Sequence, residues 1–132
     1  MAIEPLSVLL VEAHEDTRKM LEPLLEEWGY RATMCGTATE GLRYLLDREF
    51  DAIVLDDWLP DLDGVELCRQ IRETDHQTPI IFFSTATMGS EDSRALAVGA
   101  NAYIYKSSGP GSLREAMEKE LGENHRQSSK TG

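Results

Sequence analysis

The 132-residue sequence predicts an α/β domain, a doubly wound three-layer αβα sandwich in which five parallel strands are covered on both faces by five helices. Three observations predict it. Short, almost wholly apolar runs alternate with segments whose apolar residues recur at helical spacing. The runs are long enough for strands and too short for helices. Acidic, hydroxyl and amine side chains stand just after several of them, where open α/β sheets gather their sites.

Leu6–Val11 is the first run, with the pattern of a strand buried on both faces. Glu15 and Asp16 then open a helix whose stripe is Met20, Leu21, Leu24, Leu25 and Trp28, with Gly29 as its stop. Pro23 lies inside it, where a proline costs about 3 kcal/mol; the helix is kept through it, with a kink or early break as the alternative. Tyr30–Cys35 forms the second strand. Thr37 and Glu40 make a capping-box pair ahead of Leu42, Leu45 and Leu46 on the second helix. Ala52–Leu55 is the third strand. The stretch Pro60-Asp61-Leu62-Asp63-Gly64 then turns the chain into a helix bearing Val65, Cys68 and Ile71, with Asp61 and Asp63 read as turn-shaping residues. Pro79–Phe83 and Asn101–Tyr105 complete the strands. Between them Ser90 caps a helix carrying Leu96 and Val98, and Ser112 opens a last helix with Leu113, Ala116, Met117 and Leu121. Residues 122–132 have almost no apolar side chain to offset their ordering and read as a flexible polar tail or truncated linker, which places the folded domain in residues 1–121.

Composition narrows the function. Acidic residues number 24 against 13 basic ones, and the formal charge of -11 opposes contact with nucleic-acid phosphates or anionic membranes. No apolar stretch approaches the roughly 20 residues a bilayer span needs. The two cysteines, Cys35 and Cys68, have no metal-type spacing, and no secretion signal opens the chain. A cytoplasmic protein with no direct nucleic-acid or membrane contact is expected.

The residues after the strands carry the chemistry. Glu12 follows the first, Asp56 and Asp57 the third, Ser84 and Thr85 the fourth, and Lys106 the fifth. Phosphoryl transfer to a carboxylate requires a nucleophilic acid, a divalent cation, and positive or hydrogen-bonding groups for the remaining oxygens. This set supplies them, with Glu12 and Asp56 suited to a hard cation such as Mg²⁺, Lys106 to the phosphoryl charge and Ser84 to another oxygen.

At these positions the chain resembles the response-regulator receiver family over residues 6–121. Asp51-Ala-Ile-Val-Leu-Asp56-Asp-Trp-Leu-Pro60-Asp-Leu-Asp63-Gly64 is similar to the family's phosphoacceptor strand and following loop. Pro79-Ile-Ile-Phe-Phe-Ser84-Thr resembles its strand ending in the switch hydroxyl, and Gly99-Ala-Asn-Ala-Tyr103-Ile-Tyr105-Lys106 its last strand. The resemblance implies strand order 2-1-3-4-5 and Asp56 as phosphoacceptor. It implies Lys106 and Ser84 as phosphoryl-stabilising residues, Ser84 and Tyr103 as the switch, and Mg²⁺ held by Glu12, Asp56 and the Trp58 main-chain carbonyl. A histidine kinase or histidine phosphotransfer protein would be the donor. A downstream protein, or an output domain outside this chain, would read the switch. The implied role is that of a signal carrier whose only chemistry is self-catalysed phosphorylation and dephosphorylation.

Several residues depart from the family pattern. Where relatives usually carry a second acid after the first strand, this chain has Ala13, which cannot ligate a metal, so weak Mg²⁺ binding is expected. The alternative function follows from the same residue: a phosphorylation-independent pseudo-receiver acting as a protein-interaction module. Asp57 is a poor substitute ligand because neighbours on a strand face opposite ways. His14 offers a transition-metal ligand but, as a lone histidine, reads as a surface side chain. Ser107 replaces the usual proline after Lys106. Trp58 and Ala86 flank the acceptor and the switch serine with a bulky and a non-polar side chain, which predicts slow hydrolysis of the phosphate.

Overall fold

The computed structural model describes residues 4–85 and 91–131, with side chains as far as Gly122. Ala86 and Ser90, singled out above as a site-flanking residue and a helix cap, lie outside the described residues. The elements run β1 (Leu6–Val11), α1 (Glu15–Glu27), β2 (Tyr30–Cys35), α2 (Ala38–Asp47), β3 (Ala52–Leu55), α3 (Gly64–Arg72), β4 (Ile80–Ser84), α4 (Glu91–Ala97), β5 (Ala102–Tyr105) and α5 (Pro110–Thr131). The strands form one sheet in the order β2-β1-β3-β4-β5, every neighbouring pair parallel. The expected architecture and strand order are those observed.

Alternation along the strands builds two cores. Leu9, Val11, Ile53, Leu55, Ile80 and Phe82 face one side and pack with Val65, Leu67, Cys68 and Ile71 of α3 and Ala95 of α4. Val8, Leu10, Ala52, Val54, Ile81 and Phe83 face the other and meet Leu21 and Leu25 of α1 and Leu113, Met117 and Leu121 of α5. Both faces of the central strands are therefore dry, the condition under which an all-parallel sheet is stable. Among the described residues no helix is long and apolar enough to cross a membrane.

α1 runs unbroken through Pro23, because Pro23 and Lys19, whose carbonyl loses its partner, are both exposed and water can serve that carbonyl. Three members of the apolar stripes fall at the wet edge of their helices, Met20 at 42%, Leu46 at 90% and Leu96 at 48% exposure. α5 starts at Pro110 rather than Ser112, with proline at the first helical position, where its missing amide hydrogen is harmless. The backbone of residues 122–131 continues that helix.

The capping chemistry is partly local and partly long-range. Thr37 accepts from the Glu40 amide at 3.1 Å, and Asp63 caps α3 by accepting from the Val65 amide at 2.8 Å. Asp61, read above as a turn residue, instead reaches α2. It accepts from the Ala38 and Thr39 amides, each at 2.9 Å, and from the Thr39 hydroxyl at 2.6 Å. That hydroxyl, and then the two amides, holds the Asp61 carboxyl below its usual range. Asp61→Ala is expected to cost about 1–2 kcal/mol, the value of a helix cap, read as a lower denaturant midpoint at unchanged slope. A carboxyl with a depressed folded pKa contributes its stability above its ordinary value near 4 and loses it as the pH falls further, so the difference between wild type and variant should shrink in acid.

Candidate functional site

The sheet delivers the predicted groups to its carboxyl rim. Glu12 follows β1, where its amide donates to the Cys35 carbonyl at 2.9 Å, and Asp56 follows β3, where its amide donates to the Val11 carbonyl at 2.9 Å. Both carboxylates are only 1% exposed. Lys106 follows β5 and turns back to them, with Nζ 2.8 Å from Glu12 Oε1 and 3.7 Å from Asp56 Oδ2. The closer contact is a tight, buried ion pair. Among the described residues no peptide bond is cis. A 3₁₀ turn over Lys106–Ser108 and Gly109 at φ 88° carry the chain from Lys106 into α5.

Two buried carboxylates against one ammonium leave the rim short of positive charge. Burial and the neighbouring Glu12 carboxylate push Asp56 up to about 6 against the pull of Lys106. Burial works to raise Glu12 as well, but Lys106 and the His14 amide outweigh it and hold that carboxyl below the usual range. Asp56 Oδ2 is buried without a hydrogen-bond partner among the described residues, a costly arrangement for an acceptor that ionises. The Trp58 amide stands at the limit of hydrogen bonding, 3.5 Å from Asp56 Oδ1, and its indole is 69% exposed beside the rim.

Asp57 faces away from Asp56. Its Oδ2 accepts a short hydrogen bond from the Tyr103 hydroxyl, and the fully buried Ser84 hydroxyl lies within bonding reach of both. Tyr103 also stacks on Phe82 with ring centroids 5.5 Å apart. Burial raises the Asp57 carboxyl despite the bonds from Tyr103 and Ser84, and burial followed by the Asp57 contact keeps the Tyr103 phenol protonated. Ser84 and Tyr103 thus sit together, tied to a carboxylate that sequence reasoning treated only as a poor metal ligand. Tyr103→Phe should leave Asp57 buried with one donor fewer and cost about 1–3 kcal/mol, measured by equilibrium unfolding.

One further residue escaped the sequence reading, and a second was weighed there only as a lone histidine. Arg18 on α1 donates from Nη1 to the main-chain carbonyls of Glu12 and Ala13 and so fixes the loop that presents Glu12. His14, read as a surface side chain, directs Nδ1 to Glu12 Oε2 at 3.0 Å and lies 3.6 Å from Asp56 Oδ2. Its position immediately past β1 was the available signal.

Comparison with known proteins gives the class. Residues 8–118 match the family described as response regulator receiver domain, and the chain belongs to that family, whose members carry signals rather than act as enzymes. It is 33% identical over 113 residues to the response regulator MprA of a Mycobacterium species, covering 86% of this chain and 48% of that protein. It is 38% identical over 100 residues to the transcriptional regulatory protein AfsQ1 of Streptomyces coelicolor, covering 76% and 44%. The chain therefore spans about half the length of these curated relatives or less. The CheY-like receiver domain protein of Methanospirillum hungatei superposes with a TM-score of 0.87 at 26% identity, over 93% of this chain and 98% of that one. The receiver domain of sensor histidine kinase PA1611 from Pseudomonas aeruginosa superposes at 0.81 and 28% identity, over 89% and 98%, and holds a magnesium ion in its active-site cleft.

Proposed function

We propose that this receiver domain is a phosphoacceptor of a two-component phosphorelay, taking a phosphoryl group from a phosphohistidine donor onto Asp56 and switching a protein-interaction face. The observation that carries this is the buried Asp56 Oδ2, which has no hydrogen-bond partner among the described residues and lies 3.7 Å from the Lys106 ammonium at the sheet's carboxyl rim. A carboxylate so placed has a free electron pair and a fixed cation beside it. Its oxygen bonds to phosphorus as the donor's P–N bond breaks, and the electron pair stays on the donor imidazole. Lys106 meets the added negative charge.

The same orphaned oxygen fits a hard divalent cation, with Glu12, Asp56 and the Trp58 main-chain carbonyl as the oxygen donors that would hold Mg²⁺. Bound there, the ion would supply charge neutralisation for the phosphoryl oxygens. Ala13 removes one carboxylate from that set, which supports weak binding. Ser84 and Tyr103 would report the new charge to a downstream protein or to an output domain beyond this chain, and a histidine kinase or phosphotransfer protein would be the donor. Trp58 would slow loss of the phosphate by shielding the rim from water.

The test is to incubate the protein with a small phosphodonor and excess Mg²⁺ and to record intact mass. One added phosphoryl group in the wild type and none in Asp56→Asn is expected. No addition in either would favour the second reading, a phosphorylation-independent interaction module, which Ala13 supports.

A further inference from the structure

His14 Nδ1 faces both Glu12 Oε2 and Asp56 Oδ2 at the rim. The imidazole nitrogen is 3.0 Å from the Glu12 oxygen and 3.6 Å from the Asp56 oxygen, and one ligand atom from each of the three residues lies within 4.8 Å of the others. With metal–ligand bonds of about 2.1 Å, adjacent ligands of an octahedral or tetrahedral ion stand about 3.0–3.4 Å apart, so only small movements would bring these three onto one ion.

A second observation points to a ligand independently of the cluster. Asp56 is 1% exposed, and its Oδ2, the oxygen 3.6 Å from His14 Nδ1, has no hydrogen-bond partner among the described residues. His14 differs from the carboxylates in being 58% exposed at its side chain while its Nδ1 edge turns inward. An ion can therefore reach the cluster from solvent on the imidazole side. Two carboxylates facing one nearby ammonium leave uncompensated negative charge for a dication to neutralise.

Imidazole nitrogen is a poor partner for Mg²⁺, which prefers oxygen, and a good one for first-row transition ions. We infer that His14 is a metal ligand of this domain, completing with Glu12 and Asp56 a nitrogen-containing site that selects a transition dication such as Mn²⁺ or Co²⁺ over Mg²⁺. The inference deepens the phosphoacceptor reading, because the ion would sit against the acceptor oxygen. His14 would thereby take the place that Ala13 leaves without a ligand.

A preference for Co²⁺ over Mg²⁺ is not diagnostic by itself, because most nitrogen and oxygen sites follow that order. The discriminating quantity is how much of it depends on His14. Metal-free protein is titrated calorimetrically with Mn²⁺, Co²⁺ and Mg²⁺ as separate salts, for the wild type, His14→Ala and His14→Gln. Pulsed EPR of the Mn²⁺-loaded protein then looks for nitrogen coupling. Expected are imidazole coupling in the wild type and its loss in both variants, with Co²⁺ affinity falling tenfold or more and Mg²⁺ affinity falling much less. The glutamine variant keeps a polar contact for Glu12, so an unfolded alanine variant would not decide the matter. Absence of nitrogen coupling in the wild type, or equal losses for all three ions, would overturn the assignment and leave His14 as a hydrogen-bond partner of Glu12. Phosphorylation of the wild type in excess Mg²⁺ tests the phosphoacceptor reading separately, since it does not require His14 to bind metal.

Discussion

Gly64→Ala is expected to lower the stability of this domain by about 3 kcal/mol or more and to displace Asp56, the proposed acceptor. A Cβ at residue 64 would stand 2.2 Å from the Asp56 carbonyl oxygen and 2.9 Å from the Asp57 Cα. Both are backbone atoms, so no side-chain rotation relieves the contact. The cause is the tight return of the chain after β3. The Gly64 amide donates to the Asp57 carbonyl at 2.8 Å, and α3 starts directly against the strand that carries Asp56. Either the helix start or the acceptor backbone must move, and the first breaks the Asp63 cap while the second shifts the carboxylate away from Lys106. Gly111→Ala is the matched control. There a Cβ meets nothing within 4 Å, and alanine's higher helix propensity should leave stability unchanged or raise it by up to about 1 kcal/mol. Chemical denaturation of both variants checks the pair. Similar small changes in both would show that the return after β3 is looser than described.

Asp56→Asn should have two effects of opposite kind, loss of phosphorylation and a gain in stability. Burial and Glu12 raise the Asp56 carboxyl to about 6 in the folded protein, against about 3.9 in an unfolded chain. The folded state then binds the proton more tightly, so stability falls as pH rises through this interval and levels off above it. Asparagine never ionises and escapes that loss. The stabilisation at pH 7 should be about 1–3 kcal/mol, shrinking toward zero by about pH 4. Thermal unfolding of wild type and variant across this range reads it directly. A stability gain that stays constant with pH would mean that packing, not ionisation, separates the two. The trade is of the kind expected at a reactive site, where a costly buried charge is retained for its chemistry.

Much of this architecture was legible in the sequence because parallel strands buried on both faces leave unambiguous apolar runs. Leu6–Val11, Tyr30–Cys35 and Ala52–Leu55 have the expected bounds, and each rim residue follows from where its run ends. Helical periodicity was less informative about depth. It places Leu46 and Leu96 on apolar stripes but does not say how deep each side chain lies. The contacts that shape the site are mostly non-local and left no pattern. Asp61 caps a helix start 22 and 23 residues earlier in the chain, and Tyr103 pairs with Asp57 across 46 residues. Pairings of that kind depend on strand order, which only the folded sheet supplies. His14 is the opposite case. It stood in plain view after β1, and only the convergence of its Nδ1 on two carboxylates separates it from an ordinary surface histidine.

The central claim is that Asp56, and not Glu12 or Asp57, accepts the phosphoryl group. The most direct measurement is to phosphorylate the protein with a small phosphodonor, reduce the acyl phosphate with borohydride, and locate the resulting homoserine by peptide mass spectrometry. Homoserine at position 56 alone is the predicted result. Modification at residue 12 or 57, or none at all under conditions that phosphorylate a control receiver, would contradict the account.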